Sequence, residues 1–211
     1  RSSAASDVYK RQVRFCHYSG VKVYVTLNTL VFDREIPLLA KAIENCAKAD
    51  VDAFIVQDMG VARLSRQIVP ELPLHASTQM TVNSPEGAIM AKELGFTRVV
   101  LGRELSFAQI KAITESCDIE TELFIHGALC VCISGQCYMS SVLGGRSGNR
   151  GLCAQPCRLD FTSGDRHNVL SLKDLSLTEK LPELAKAGIT SFKIEGRMKR
   201  PEYVAGAVNA C

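Results

Sequence analysis

The stretch AFIVQDMGVARLSRQIVPELPLHASTQMTVNSPEGAIMAKELGFTRVVLGREL, residues 53–105, predicts the fold of this chain. It contains three short strand-like runs, at 53–58, 72–78 and 97–105, with a helix-like segment between each pair. In the second of those segments, Ser84 is placed to act as the N-cap, because a proline follows it at the first helical position. Strands that alternate with helices through short links predict a parallel sheet with helical crossovers.

The same alternation continues on both sides of this stretch, with further strand-like runs at 21–28, 119–129, 168–176 and 190–197. Polar residues stand at the carboxyl ends of the seven predicted strands: Asn28, Gln57, Asp58, Ser77, Gln79, Arg103, Glu104, His126, Lys173, Asp174, Glu195 and Arg197. No G-x-G-x-x-G follows a first strand, which weakens the case for an open nucleotide-binding sheet. A barrel brings all such strand ends to one face, where its active site lies. We therefore expect an α/β fold, a TIM-like (β/α)8 barrel.

The predicted barrel does not extend over the whole sequence. Residues 1–12 lack periodicity and are expected to be a non-native or disordered leader, which leaves 13–211 as the barrel domain. A cysteine-rich segment, residues 130–158, interrupts the alternation after the fifth visible strand. Since only seven strands are visible, we expect that the first strand and the downstream domains are missing, so that this insertion follows the sixth strand of the complete barrel.

Composition narrows the class of protein. Hydrophobic residues make up 46% of the chain and charged residues 22%, which is ordinary for a globular domain. Without a long apolar run or a signal peptide, we expect no membrane association and a cytoplasmic location. Residues 141–211 hold 11 Lys and Arg against 7 Asp and Glu. This surplus suits a polyanionic partner, although a solvated basic surface explains it equally well.

Five of the nine cysteines lie between Cys130 and Cys157. Four of them, Cys130, Cys137, Cys153 and Cys157, follow the spacing C-x6-C-x15-C-x3-C, and Cys132 has no assigned role. In a reducing compartment, grouped cysteines bind metal or act in catalysis more often than they form disulfides. Only the last pair fits the short spacing of a zinc knuckle, so the pattern favours a [4Fe–4S] cluster, with zinc or unligated thiols as alternatives.

Several segments resemble the peptidase U32 family, the collagenase-like proteases. These are ELFIHGALCVCISGQCYMS (122–140), RGLCAQPCR (150–158), LSLKDL (170–175), FKIEGRMKRPEYV (192–204), VTLNTL (25–30), HASTQM (75–80) and LGREL (101–105). The resemblance spans roughly residues 13–211 and implies a TIM-like barrel in which Cys130, Cys137, Cys153 and Cys157 bind the cluster. It also implies hydroxylation of a tRNA wobble uridine or a 23S rRNA cytidine, with prephenate as a metabolite, or a role in ubiquinone synthesis.

The charged residues at the strand ends supply the remaining candidates for the site. We predict Glu104, His126, Lys173 and Glu195 as catalytic residues, and Arg103, Arg197, Gln79 and Asn28 as substrate-binding residues. Arg103 and Arg197 suit a small carboxylate such as prephenate, because a guanidinium pairs with a carboxylate bidentately. A layer of salt bridges that closes the barrel mouth is the competing explanation. Glu122 and His126 alternate in phase, so both are expected to face the barrel interior.

The predicted function is that of an iron–sulfur enzyme that supports RNA hydroxylation, with RNA and not DNA as its partner. The first alternative is a collagenase-like peptidase, in which His126 would be the base for a cysteine four or more residues away. Neither H-E-x-x-H nor G-x-S-x-G occurs in the chain, so this alternative lacks a nucleophile or zinc motif. The second alternative is ubiquinone-synthesis hydroxylation or a non-catalytic electron-transfer partner.

Overall fold

Five parallel strands run side by side in chain order in the computed structural model, which describes residues 2–197 and 199–211. They are β1 (Tyr24–Leu27), β2 (Ala53–Val56), β3 (Leu74–Ala76), β4 (Arg98–Val100) and β5 (Glu120–Gly127). A later strand, β7 (Ser191–Ile194), pairs with β5 in parallel. In the described part of the chain β1 and β7 each pair with one neighbour, so the sheet is open at these two strands. The sheet curls and forms part of a barrel. The predicted parallel α/β barrel fold is confirmed.

Within the described residues, eight helices accompany these strands. They are α1 (Ser2–Tyr18), α2 (Ile36–Lys48), α3 (Met59–Ile68), α4 (Pro85–Glu93), α5 (Phe107–Ser116), α6 (Met139–Gly144), α7 (Leu181–Lys186) and α8 (Pro201–Ala210). Helices α2 to α5 connect successive strands from β1 to β5, and α6 belongs to the cysteine-rich segment. Ser84 is the N-cap of α4, as predicted, and its hydroxyl accepts from the Gly87 amide at 3.2 Å. Asp58 caps α3 in the same way, because its carboxylate accepts from the Gly60 amide at 2.7 Å. No helix within the described residues is long and apolar enough to cross a membrane.

The first helix differs from the expected leader over residues 1–12. Residues 2–12 belong to α1, whose alanine, lysine, arginine and glutamine residues favour helix. Further along α1, Val13 is buried in the core and His17 lies 3.0 Å from the Asp52 carboxylate. Residues 2–12 therefore have regular structure, while the division into a leader and a barrel domain stays a prediction.

The apolar core lies between the sheet and its helices. Phe54 and Val56 of β2 are fully buried there, and Leu74 and Ile125 pack into the same layer. Residues that alternate with them, such as Ile55, face the concave side of the sheet instead. This alternation leaves the concave side free to carry polar and charged groups.

The predicted strand at 168–176 is mostly a loop. Asn168 adopts a left-handed conformation with φ of 55°, and its carbonyl accepts from the Ser171 amide in a turn. Only β6 (Leu175–Ser176) remains of this strand, and it pairs antiparallel with the end of β5. Consequently β7 is the parallel neighbour of β5, and Lys173 does not follow a barrel strand as predicted.

Candidate active site at the barrel mouth

A cavity of about 230 Å³, here called the mouth cavity, lies at the carboxyl ends of the parallel strands. Its lining includes Thr26, Asn28, Ile55, Ser77, Gln79, Val100, Arg103, Phe124, Gly148, Asn149, Gly151, Lys193, Glu195 and Arg197. Four predicted site residues, namely Asn28, Gln79, Arg103 and Arg197, therefore share one cavity with Glu195. This is the face on which barrel enzymes carry their active sites.

Asn149 belongs to the roof loop, residues 147–151, which crosses the mouth cavity from the cysteine-rich segment. The two hydrogens of its Nδ2 atom are donated to Gln57 Oε1 at 2.6 Å and Gln79 Oε1 at 2.8 Å, and the Asn28 carbonyl lies 3.3 Å from the same nitrogen. Its Oδ1 atom accepts from the Leu30 amide at 2.9 Å. The predicted substrate-binding residues Asn28 and Gln79 thus hold the roof loop in this structure. Asn149 is not among the predicted site residues. The glycines around it predicted only that the loop is flexible.

Arg150 binds the same loop to the segment between β1 and α2. Its guanidinium contacts both carboxylate oxygens of Glu35, at 2.8 and 2.9 Å, and donates to the Leu30 carbonyl at 2.9 Å. The hydrogen bond from Arg150, together with one from the Phe32 amide, lowers the pKa of Glu35 to about 2. A bidentate pair of this kind fixes direction as well as distance.

Three cations and one carboxylate line the mouth cavity. Lys193 contributes to the lining from β7, Arg197 lies beside Gly151 in the roof loop, and Glu195 is half-buried. The Arg103 guanidinium stacks 4.2 Å from the centre of the Phe124 ring and donates to the Ala128 carbonyl at 2.9 Å. Lys193 is paired with Glu122 beneath the cavity, so Arg103 and Arg197 supply the positive charge with which this lining would attract a small anion.

A charged cluster forms the floor beneath the mouth cavity. Glu122 is only 5% exposed, and its carboxylate accepts from Lys193 Nζ at 2.7 Å, Ser191 Oγ at 3.0 Å and Arg98 Nη1 at 3.1 Å. Burial raises the pKa of Glu122, but the charge and hydrogen bond of Lys193 and the other donors outweigh it, so the pKa falls below its usual value. A salt-bridge layer therefore does exist, although it lies below the mouth and not across it.

His75 lies on β3 next to this floor and is 4% exposed. Its ring meets the Tyr24 ring edge to face at 4.8 Å. Among the described residues, its Nδ1 atom is the one buried side-chain nitrogen or oxygen without a hydrogen-bond partner. Burial, with the nearby Arg98 charge, lowers the pKa of His75 to about 4, so the ring is neutral at pH 7.

Glu104 holds the cysteine-rich segment in place from the end of β4. Its carboxylate accepts from the Ser134 hydroxyl at 2.8 Å and from the Ser134 amide at 3.1 Å. Ser134 has a φ of 48°, a left-handed conformation that is uncommon for a residue other than glycine. The two hydrogen bonds stabilise that turn, and the catalytic role of Glu104 stays a prediction.

His126 does not face the barrel interior together with Glu122. The pairing of β5 with β7 shifts register between Phe124 and His126, and such a bulge turns the following side chain. The His126 Nδ1 atom instead lies 2.9 Å from the Tyr203 hydroxyl on α8. Lys173 is exposed in the loop before β6. Neither residue lines the mouth cavity. The Glu195 amide donates to the His126 carbonyl at 2.8 Å, so His126 is a backbone neighbour of Glu195 while its side chain is bonded to Tyr203.

The nine cysteines are free thiols, and five of them belong to the cysteine-rich segment. The Met139 amide donates to Cys137 Sγ, and the Gln155 amide donates to Cys153 Sγ, both at 3.3 Å. Gly148 of the roof loop lies between them, because a Cβ atom there would be 3.4 Å from the Cys137 carbonyl and 3.8 Å from Cys153 Cβ. Amide donors to sulfur are typical of thiolates that ligate iron.

Arg158 connects the segments that carry the other two predicted ligands, Cys130 and Cys157. Its guanidinium donates to the carbonyl of Leu129 at 3.0 Å, which brings Cys157 toward Cys130. Burial raises the pKa of the Cys157 thiol, Arg158 opposes this, and the charges of the other three proposed ligands raise it further. The four predicted cysteines therefore influence one another electrostatically, and their role as a ligand set stays a prediction.

The donor set fits a thiolate-bound group in its chemistry. Among the described residues, no three His, Cys, Asp or Glu side chains are grouped closely enough to hold a single metal ion. A [4Fe–4S] cluster is ligated through separate irons, so its four sulfurs need not meet at one point. Burial also raises the pKa of Cys132, and the charges of Cys137 and Cys130 add to it, so this fifth thiol lies in the same region. The choice between a cluster and zinc stays a prediction.

Comparison with known proteins finds one family model and several relatives that this chain resembles. The model of Peptidase family U32 matches residues 2–211. A 23S rRNA 5-hydroxycytidine synthase of Escherichia coli K12 is 46% identical over 200 residues, which cover 91% of this chain and 30% of that protein. The tRNA hydroxylation protein P1 of Bacillus subtilis 168 is 37% identical over 211 residues, which cover 93% of this chain and 50% of that protein. A collagenase of Porphyromonas gingivalis W83 is 34% identical over 94% of this chain and 52% of its own.

The fold also has a counterpart among solved structures. The U32 peptidase Mk0906 matches with a TM-score of 0.57 and 16% sequence identity, over 89% of this chain and 75% of that one. At this identity the likeness concerns the fold alone. The chain spans 30% to 50% of the length of the two RNA-hydroxylation relatives described above.

Proposed function

The chain belongs to peptidase family U32, and from this premise we propose that it is the barrel portion of an iron–sulfur enzyme that hydroxylates RNA. Relatives named for hydroxylation of 23S rRNA and of tRNA are 46% and 37% identical to it. Since the chain spans at most half of those two relatives, the activity is proposed for the protein that contains this barrel. RNA substrates would place that protein in the cytoplasm.

One observation carries the proposal: the roof loop belongs to both the cysteine-rich segment and the mouth cavity. Gly148 lies against Cys137 and Cys153 on one side, and it lines the mouth cavity on the other. A redox group bound by the thiols would therefore lie within a few residues of a substrate in the cavity. Hydroxylation removes two electrons from the substrate and also needs an oxygen donor, so a redox group beside the cavity would suit it.

Cys130, Cys137, Cys153 and Cys157 would hold the [4Fe–4S] cluster, and the cluster would supply one-electron chemistry. The amides that donate to Cys137 and Cys153 would help set its reduction potential. Zinc bound by the same thiolates is the alternative, and it would supply no electrons. Ubiquinone-synthesis hydroxylation or simple electron transfer would use the same cluster with a different partner.

The mouth cavity would bind a small carboxylate, for which prephenate is our candidate. Arg103 and Arg197 provide positive charge around the cavity, and Arg103 is held in place by stacking on Phe124. Glu195 would contact the substrate from the same wall and exchange protons with it. Asn149 would close the cavity against water through its hydrogen bonds to Gln57 and Gln79.

Peptide hydrolysis is the second candidate, because the family also includes proteins named collagenase. A cysteine or serine peptidase needs a nucleophile within hydrogen-bond reach of a base. The described lining of the mouth cavity contains no histidine, and His126 is bonded to Tyr203 instead. The geometry therefore favours the hydroxylation proposal.

Anaerobic purification of the protein, followed by iron, sulfide and zinc analysis, tests the cofactor. We expect about four irons per chain, as four-thiolate ligation of a [4Fe–4S] cluster requires. Stoichiometric zinc without sulfide would refute the cluster. Nucleoside mass spectrometry of RNA from a deletion strain tests the reaction, because loss of a hydroxylated nucleoside is expected, whereas unchanged RNA with lost peptidase activity would establish the second candidate.

A further inference from the structure

A second cleft lies beside the roof loop, outside the mouth cavity. Its volume is about 210 Å³, and two aromatic residues, Phe32 and Tyr138, contribute to its walls. We call it the aromatic cleft. Phe32 is 56% exposed and Tyr138 is 68% exposed. Two large rings left open to solvent around one cleft suggest a binding surface, because apolar patches beside polar rims mark interaction sites.

The aromatic cleft also presents one hydrogen-bond donor and one acceptor that no described residue uses. The Gln57 Oε1 atom accepts a hydrogen bond from Asn149, and the Gln57 Nε2 donor has no partner among the described residues. Gln136 donates through Nε2 to the Gln79 carbonyl, which leaves its Oε1 acceptor free. A nucleobase edge carries donors and acceptors side by side, and proteins read unpaired bases through such edges.

Positive charge lies at the Phe32 side of the cleft. The Arg34 guanidinium is 4.8 Å from the centre of the Phe32 ring, and it makes no ion pair within the described part of the chain. The Arg150 guanidinium is 5.2 Å from the same centre, but Glu35 balances its charge. Arg34 is therefore the cation that remains available for a phosphate. The Tyr138 ring has no such cation over it among the described residues and remains open for stacking.

The position of the aromatic cleft connects it to the proposed chemistry. Cys137 is part of its lining, and Gly148 and Asn149 line both this cleft and the mouth cavity. A ligand in the aromatic cleft would therefore be separated from the mouth cavity by the roof loop alone. It would also lie next to one of the proposed cluster ligands.

We propose that the aromatic cleft binds one unpaired nucleobase of a single-stranded RNA segment, stacked on Tyr138, with Arg34 on a neighbouring phosphate. This inference rests on the proposed function, since it names where the RNA substrate is held. Stacking on an aromatic ring, hydrogen bonds to base edges and a guanidinium on the backbone together are how proteins recognise single-stranded RNA. The free Gln57 donor and Gln136 acceptor would read the edge of that base.

Fluorescence anisotropy with a labelled single-stranded oligoribonucleotide tests the inference on the purified protein. Tyr138→Ala should weaken binding roughly tenfold to a hundredfold, because one stacked base is lost. Tyr138→Phe keeps the ring and should bind within about threefold of the parent, since the difference in stacking is small. Arg34→Ala should lower the slope of log affinity against log salt by about 1. The control is Tyr18→Ala, because Tyr18 is 90% exposed on α1 and should not affect binding.

An oligoribonucleotide of the same length in which every nucleotide is abasic completes the test. It should weaken binding to the parent protein and abolish the difference between the parent and Tyr138→Ala. Equal affinity of Tyr138→Ala and the parent for the intact oligonucleotide would overturn the inference, as would an equal loss in Tyr18→Ala. If RNA hydroxylation fails while the Tyr138 effect persists, the proposed function is wrong but the base site stands. Binding of a collagen peptide in place of RNA at this cleft would refute both.

Discussion

The Nδ2 atom of Asn149 lies 2.8 Å from the Oε1 atom of Gln79, so a hydrogen bond joins the roof loop to the turn after β3. These residues are 70 positions apart in the chain. The same Nδ2 atom also donates to Gln57, at the end of β2. One amide thus joins the cysteine-rich segment to the ends of two barrel strands, and the Arg150 and Glu104 hydrogen bonds hold the same segment.

We expect Asn149→Ala to lower the free energy of unfolding by about 1–2 kcal/mol, since several part-exposed hydrogen bonds are lost together. Chemical denaturation measures the change. Asn209→Ala on α8 is the matched control, because Asn209 is exposed and should have little effect. If both variants unfold at the same denaturant concentration as the parent, the roof loop is not held by Asn149.

Serine substitutions separate the proposed ligands from the fifth thiol. Cys130→Ser, Cys137→Ser, Cys153→Ser and Cys157→Ser should each reduce bound iron and sulfide substantially after anaerobic purification, because a cluster ligand is removed. Cys132→Ser should retain both. Loss of iron in Cys132→Ser, with retention in one of the other four, would reassign the ligand set.

Glu122 and Glu120 offer a matched pair, because both carboxylates contact Arg98. Glu122 is buried, so Glu122→Gln leaves Arg98 and Lys193 without their shared partner and should cost about 3 kcal/mol of unfolding free energy. Glu120 is about half exposed, and Glu120→Gln should cost less than about 1 kcal/mol. Denaturant midpoints compare the two variants, and equal costs would show that burial does not determine the strength of this cluster.

The lowered pKa of His75 predicts a loss of stability in mild acid. Its ordinary pKa is near 6.5 and its folded pKa is about 4, so the unfolded chain binds the proton more readily. The stabilising contribution is complete above about pH 6.5 and is lost progressively as the pH falls toward 4, up to roughly 3 kcal/mol. Tm measured between pH 7 and pH 4 should fall less steeply in His75→Gln than in the parent. His167→Gln is the control, since His167 is exposed and should follow the parent curve.

Local patterns in the sequence predicted much of the fold. Strand β2 and the helix after Ser84 lie where periodicity and capping place them, because those signals depend on neighbouring residues. The strand expected at 168–176 failed since a turn at Asn168 interrupts it and its apolar residues find no buried face. The parallel order of the sheet was predictable, whereas the direct pairing of β5 with β7 was not.

The candidate site was predicted less completely, because most of its contacts join distant parts of the chain. Arg103, Glu195 and Arg197 do line the mouth cavity, as expected for residues at strand ends. His126 is turned toward Tyr203 by a bulge, which no alternation pattern reveals. Asn149 is absent from the sequence prediction, since a residue in a glycine-rich loop has no periodicity to mark it.

The roof loop contacts residues that are far from it in the sequence, and this separation affects the order in which parts of the chain fold. Arg150 and Glu35 are 115 residues apart, and Asn149 and Asn28 are 121 apart, whereas adjacent strands pair over much shorter separations. Contacts that close such long loops with few buried groups form late and open early. We therefore expect the loop to open while the sheet stays folded. This local opening would give iron and sulfide a path to the cysteines of a barrel that has already formed.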